Sequence, residues 1–163
     1  MKTRRLICAV LVCVLAGVVA FSAWAADAPS VQGTWKLVSR TLPDGSVLKE
    51  PDVIGFTTYT KDKRDVLFVV KGDDGNYGGL IIRSKYSLTE KAYTEENLAF
   101  LKNFGAKTIE VPLKKGTSPV TVKGGRIGFA LPTAGNSPVV VEGDSMTVGV
   151  KGKEPFDVYK KVK

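Results

Sequence analysis

The sequence predicts an all-β domain of about ten short antiparallel strands and one short helix. Apolar or alternating runs of five to ten residues are interrupted repeatedly by Gly, Pro, Asp and Asn, a pattern typical of strands joined by tight turns. Sixteen glycines and eight prolines follow residue 25, as a chain that turns this often requires. Helical periodicity appears at one place, and no repeat or linker divides the chain. Such a meander must protect its edge strands, either in a two-sheet sandwich or by closing into a barrel.

The first 25 residues have the features of an export signal. A basic start, Lys2 to Arg5, precedes an apolar run over 6–21, and Ala23-Trp24-Ala25 supplies small residues at the spacing that signal peptidase recognises. The apolar run is shorter than the roughly 20 residues that span a bilayer. We therefore predict a cleaved signal peptide over 1–25 and one domain over 26–163. We expect this domain to be exported to the periplasm or secreted, without stable membrane insertion.

The composition of the predicted domain excludes several classes of function. Both cysteines, Cys8 and Cys13, lie in the leader, and the chain has no histidine. Nucleophilic dyads that need Cys or His, disulfides, His-ligated haem and Cys/His zinc sites are therefore excluded. The domain carries 21 basic and 16 acidic residues, spread in ones and twos. Nucleic-acid binding needs basic residues interleaved with exposed aromatics on one face, so we predict no nucleic-acid partner.

Turn residues set the strand boundaries along the chain. Pro43-Asp44-Gly45 predicts a hairpin, and Gly72–Asn76, Gly124-Gly125 and Gly143–Ser145 predict three further turns. In the run that ends at Leu88, charged residues alternate with small or aromatic residues from Arg83 onward. This pattern indicates a strand with one solvent-exposed face. The predicted strands are Val31–Leu42, Ser46–Lys49, Val53–Thr60, Asp65–Lys71, Gly79–Leu88, Thr108–Leu113, Val120–Lys123, Arg126–Leu131, Val139–Glu142, Met146–Val150 and Phe156–Lys163.

The predicted helix covers residues 94–104. Thr94 is a suitable N-cap, Glu95 and Glu96 complement the helix dipole, and Gly105 stands at the C′ position. Leu98 and Leu101 are three residues apart, as on one helix face.

The first strand carries a motif, Gly33-Thr34-Trp35-Lys36-Leu37-Val38-Ser39, that resembles the G-x-W opening of lipocalins and wider calycin barrels. It is most similar to the bacterial lipocalin-like domain family, in which a D-G hairpin and a strand like Gly55–Thr60 follow. The closing segments Gly143–Val148 and Phe156–Val162 are also similar to the last hairpin of such barrels. The resemblance implies an up-and-down antiparallel barrel of 8–10 strands, with Gly33 and Trp35 at its floor.

One departure from the family pattern concerns the last strand. Lipocalins place an Arg there across the Trp, whereas this chain offers Lys160, Lys161 and Lys163. A lysine stem covers an indole without the planar stacking of a guanidinium. On the first strand, alternation predicts Trp35 facing inward and Arg40 facing outward.

Strand alternation also selects the candidate ligand-lining residues, namely Tyr59, Phe68, Tyr86 and Phe129. Arg126 is a further candidate, because it opens a strand beside small residues and the related fatty-acid-binding barrels hold a carboxylate with an inward Arg. A barrel of this size leaves space for one small molecule. No catalytic constellation, cofactor or metal site is predicted.

Three functions remain open from the sequence. The first is an exported barrel that binds or carries a small apolar or amphipathic molecule in its interior. The second is an envelope protein with a filled barrel that binds a protein partner. The third is a calycin-type cyclase or isomerase that steers an apolar substrate by shape.

Overall fold

A computed structural model describes residues 30–72, 74–104, 108–153 and 155–163. The predicted signal peptide over 1–25 lies outside these residues. Thirteen strands and no helix occur in the part of the chain that is described. The strands are β1 Gly33–Thr41, β2 Val47–Leu48, β3 Val53–Tyr59, β4 Lys63–Lys71, β5 Tyr77–Leu88, β6 Ala92–Asn103, β7 Ile109–Glu110, β8 Lys115–Pro119, β9 Thr121–Lys123, β10 Arg126–Leu131, β11 Ser137–Glu142, β12 Ser145–Val148 and β13 Phe156–Lys161.

All of these strands belong to one antiparallel sheet. Its hydrogen-bonded path runs through eleven strands in the order β7-β6-β5-β4-β3-β1-β13-β12-β11-β10-β9, while β2 pairs with β1 and β8 with β6. Most neighbours on the path are also neighbours in sequence, as expected for hairpins joined by short turns. Gly124 and Gly125, with φ of 58° and 78°, form one of these turns in the left-handed conformation that glycine adopts without strain.

The segment 115–123 brings the two ends of this path together. Its first half, β8, pairs with β6, and its second half, β9, pairs with β10, with Val120 alone between them. Where β8 passes β10, the Ser118 hydroxyl donates to the carbonyl of Ala130 at 2.7 Å and accepts from the Ala130 amide at 3.2 Å. At this contact between β8 and β10, the Ser118 side chain therefore makes the hydrogen bonds that backbone groups make elsewhere in the sheet.

The all-β prediction is confirmed, but the predicted helix over 94–104 is wrong. Residues 92–103 form β6, which pairs with β5 along its whole length. Tyr93, Glu95 and Asn97 are buried at alternate positions, which is strand periodicity with two polar residues on the inner face. An eleven-residue helix is marginal by itself, so pairing with a twelve-residue strand overrides the local capping signals.

A second correction concerns Arg40. The register between β1 and β13 shifts between Leu37 and Ser39, so that Val38 is an extra, exposed residue. This bulge reverses the alternation beyond it. Arg40 therefore pairs with Asp157 on the inner face and does not face outward as predicted.

The floor of the interior is built around Trp35. This side chain is 1% exposed, and its indole nitrogen donates to the Val31 carbonyl at 2.9 Å. Lys161 lies opposite on β13 with its ammonium 5.4 Å from the Trp35 ring, within the range of a cation–π contact. Its stem passes over Gly33, where a Cβ would meet Lys161 Cε at 2.7 Å. A lysine thus takes the position that the family pattern gives to arginine.

Trp35 is the only tryptophan of residues 26–163, so the tryptophan fluorescence of this domain reports directly on the surroundings of the Trp35 side chain. We expect the protein lacking residues 1–25 to show a blue-shifted emission maximum and protection from iodide and acrylamide, because the indole is enclosed. An emission spectrum like that of free tryptophan would contradict the inward placement. Fluorescence with Stern–Volmer quenching makes the measurement, with the urea-unfolded chain as the reference.

Candidate functional site

An aromatic stack fills the interior above the floor. Tyr59 meets Tyr86 edge to face, with ring centroids 5.2 Å apart. Tyr86 stacks on Tyr93 at 5.9 Å, and Tyr93 stacks on Phe129 at 4.4 Å. These rings come from four different strands, and offset or edge contacts of this kind add to the stability of simple burial. The four rings therefore pack against one another in a continuous series across the interior.

A cavity of about 190 Å³ lies on the other side of Tyr59. Phe104, which is about half exposed, stands at its solvent end. Leu131, the last residue of β10, and Ala134, in the turn that follows, also line the cavity. Its remaining walls combine apolar side chains with two arginines and a few hydroxyls. They are formed by Arg40, Thr57, Tyr59, Arg64, Val66, Phe68, Leu80, Ile82, Met146, Val148, Asp157 and Tyr159.

A buried ion pair stands beside the cavity. Arg64, the second residue of β4, donates from Nε to Glu95 Oε1 at 2.7 Å, and the two side chains are 6% and 0% exposed. The other oxygen of Glu95 accepts from the Thr133 hydroxyl at 2.7 Å. Burial of two charges is costly unless they are paired and hydrogen-bonded, and here both conditions are met for the carboxylate.

The arginine of this pair is less completely satisfied than the carboxylate. Arg64 Nη2 is buried and makes no hydrogen bond with any described atom. The same holds for Thr57 Oγ1, Tyr93 Oη and Asn97 Nδ2, which are likewise buried. Buried polar groups without partners are uncommon because each costs about 1–3 kcal/mol. Of these four residues, Thr57 and Arg64 also line the cavity.

A second ion pair lies higher on the cavity wall. Arg40 binds Asp157 through two parallel hydrogen bonds, Nε to Oδ1 and Nη2 to Oδ2, each 2.7 Å long. The Arg40 guanidinium also lies 4.0 Å from the centre of the Phe68 ring. This bidentate geometry fixes the guanidinium plane and leaves the pair without net charge.

The candidate residues from the sequence divide into three groups. Tyr59 and Phe68 are buried and line the cavity. Tyr86 and Phe129 are also buried and face inward, but they belong to the aromatic stack. Arg126 is exposed at the start of β10 and lies away from the cavity lining. Ligand binding by any of them stays a prediction.

Sequence reasoning missed the polar residues of the site. Glu95 was assigned to a helix end, Arg40 to the outer face, and Arg64 and Thr57 to no role. No usable signal was present for Glu95, because four polar residues follow Tyr93 in succession and give no apolar/polar alternation. The bulge that turns Arg40 inward likewise has no signal in the sequence.

Alkaline titration should reveal how the tyrosines are buried. Desolvation raises the pKa of Tyr86 to about 12, and it also raises the pKa values of Tyr59, Tyr93 and Tyr159. Because these pKa values are higher in the folded than in the unfolded chain, their stabilising contribution is complete below about pH 10 and is lost as the pH rises above it. We expect late tyrosinate absorbance that appears together with loss of the β-sheet circular dichroism signal. Ionisation of all tyrosines near pH 10 with the fold intact would contradict this.

No protein-family model and no curated protein matches the chain. The crystal structure of a lipocalin-like protein from Bacteroides uniformis ATCC 8492 is similar over 81% of this chain and 98% of that one, with 16% sequence identity and a TM-score of 0.35. A likeness of this extent identifies no ligand and no site residue. Among the described residues, none forms a helix with the length and apolar character needed to cross a membrane.

Proposed function

We propose that this chain is an exported lipocalin-like protein that binds or carries a small, mainly apolar molecule inside its curved sheet. One observation carries the proposal: a cavity of about 190 Å³ whose walls are mostly apolar and include a few fixed polar groups. Ligand sites in proteins typically have this composition, since apolar walls supply affinity and a few polar atoms fix orientation. The predicted export signal and the Gly33–Ser39 motif support the same function.

The interior is divided in a way that suits a binding protein. The tyrosine and phenylalanine rings that pack in series from Tyr59 form a rigid base beside the cavity, which Tyr59 also lines. Phe68 and Leu80 on the walls provide apolar surface, whose burial by a ligand is worth roughly 25 cal/mol per Å². A rigid base and preformed walls reduce the ordering cost of binding.

Binding is tested with the protein that lacks residues 1–25. We expect an environment-sensitive apolar dye to bind at micromolar concentration and to be displaced by small apolar competitors. Phe68→Trp shortens the free space and should weaken dye binding several-fold, whereas Val122→Trp, on exposed β9, should leave it unchanged. Equal weakening in both variants, or no displaceable dye in the parent protein, would contradict interior binding.

The alternative function, an envelope protein with a filled interior that binds a protein partner, also has one observation in its favour. Leu67, Ile81 and Leu101 are exposed on the outer face and stand opposite one another across β4, β5 and β6. Contiguous apolar surface of this kind is found at interaction sites. The dye experiment separates the two functions, because a filled interior gives no displaceable signal.

A further inference from the structure

The outer face of β3 to β6 carries a continuous apolar row. Phe56, Leu67, Ile81 and Leu101 stand directly opposite one another on these four strands. Residues in such positions lie on the same face of a sheet with their side chains in contact range. The last three side chains are between 42% and 53% exposed. Contiguous exposed apolar surface of this kind marks a site of interaction, so the apolar row is a docking surface.

A shallow hollow of about 380 Å³ lies beside the apolar row. Its lining includes Gly78 and Gly79, which have no side chains, together with Leu67, Ile81 and Leu101 of the row itself. A row of protruding side chains next to a hollow is complementary to a second copy of the same surface. A two-fold axis places the row of each copy over the hollow of the other, as in a symmetric dimer interface.

The two ends of the apolar row carry opposite charges. Lys36 on β1 stands opposite Phe56, and Glu110 on β7 stands opposite Leu101. The two charged residues are five strand spacings apart, which is about 24 Å. A two-fold axis perpendicular to this face reverses the order of the strands. Lys36 of each copy therefore lies over Glu110 of the other copy, and the two contacts are equivalent.

Neither of these charges is held firmly within its own chain. Lys36 Nζ lies 2.7 Å from Glu50, but the two side chains are 43% and 55% exposed. Exposed ion pairs of this kind contribute little, so Lys36 can exchange Glu50 for another carboxylate. Glu110 is exposed and makes no ion pair with any residue that the structure describes. Both charges are accessible to a second copy.

The rows directly beside the apolar row favour a second copy over a membrane. On one side, Asp65 and Arg83 stand opposite each other and bond at 2.7 Å, so their charges cancel. On the other side, Val69 and Gly79 are uncharged. Proteins that bind anionic lipid surround their exposed apolar side chains with basic residues. These adjacent rows supply no net positive charge, whereas a neutral face suits contact between two identical chains.

We propose that the outer face of β3 to β6 is the interface of a symmetric dimer, with Leu67 and Ile81 of both copies near the two-fold axis. The apolar row and its two neighbouring rows measure about 24 Å by 20 Å, or roughly 500 Å² on each copy. Stable interfaces cover about 800 Å² per partner, so we expect a weak dimer with a dissociation constant in the micromolar range. The proposal is independent of ligand binding, because Ile81 is not among the residues that line the interior cavity.

Sedimentation equilibrium of the protein that lacks residues 1–25 tests the proposal across the micromolar range. We expect a monomer–dimer equilibrium that Ile81→Lys weakens about tenfold or more, since two like charges then meet near the axis. Val122→Lys is the matched control, because Val122 is 47% exposed on β9, at the other end of the sheet path. It should leave association unchanged, and circular dichroism should show both variants folded. Equal weakening in both variants overturns the proposal. A parent protein that stays monomeric throughout also overturns it, and binding of that monomer to phosphatidylglycerol vesicles would indicate a membrane surface instead.

A charge exchange tests the two-fold arrangement. Lys36→Glu and Glu110→Lys should each weaken association about threefold or more, because each places like charges opposite each other twice in the dimer. The double variant Lys36→Glu, Glu110→Lys exchanges the two charges and should return the dissociation constant to that of the parent protein. A double variant that associates as weakly as the single variants overturns the symmetric interface.

Discussion

Arg64→Met should destabilise the protein by about 3–5 kcal/mol, the usual cost of leaving one member of a buried ion pair without its partner. Glu95 is fully buried, and after the change the Thr133 hydroxyl is its sole remaining hydrogen-bond donor among the described residues. Urea unfolding followed by circular dichroism measures the loss as a lower midpoint at a similar slope.

Two further variants test whether burial is the reason for this loss. Arg83 donates from Nε to Asp65 at 2.7 Å, the same length as the Arg64–Glu95 contact, but both side chains are exposed. Arg83→Met should therefore change the midpoint little. The double variant Arg64→Met, Glu95→Leu should recover most of the lost stability, since an apolar pair of similar volume replaces a buried ion pair without large cost. Equal losses for Arg64→Met and Arg83→Met would refute the buried pair.

Tyr93→Ala should cost about 3–5 kcal/mol, the range for truncating a large buried aromatic side chain. The Tyr93 ring has no exposed surface and lies between Tyr86 and Phe129, so its removal leaves a cavity that rings from two other strands cannot fill. The stack also contacts the cavity through Tyr59. We expect dye binding to weaken in this variant even at temperatures where it is folded.

Tyr77→Ala provides the control for Tyr93→Ala. Tyr77 begins β5 and is 52% exposed, so the same truncation there removes little buried surface. Thermal unfolding of both variants makes the comparison. A Tyr93→Ala variant that unfolds at the temperature of the parent protein would contradict the stack as a structural element.

The strand boundaries were predictable because turn chemistry is local. The predicted strand Arg126–Leu131 has the bounds of β10, and the predicted glycine turns at Gly124-Gly125 and Gly143–Ser145 are confirmed. The inner positions of β5 were also correct, since Ile82, Ser84 and Tyr86 are buried at alternate residues. In these segments successive side chains point to opposite faces of the sheet without interruption. The position of a residue in the sequence therefore gives the face on which it lies.

The errors of prediction arise where a bulge interrupts this alternation of faces or where the buried residues are polar. Val38 on β1 and the register shift opposite Arg83 and Ser84 on β6 are bulges, and each changes which residues face inward. Lys115–Pro119 was missed as a strand because it contains no large apolar residue and includes Lys, Gly and Pro, which are depleted in strands. Pairing with β6 holds it in the sheet. Glu95 has the local features of a helix start, and its partner Arg64 is 31 residues away.

The sequence alone determined the all-β class of this chain, with its Gly33-Thr34-Trp35 strand and no Cys or His after residue 25. The export signal over residues 1–25 stays a prediction. These properties depend on composition and on local patterns. The tertiary structure alone decided the site, because Arg64, Glu95 and Thr133 come from distant parts of the chain and meet only when the sheet curves. Which polar atoms are left unpaired there depends on contacts between strands, and no single strand of the sequence contains that information.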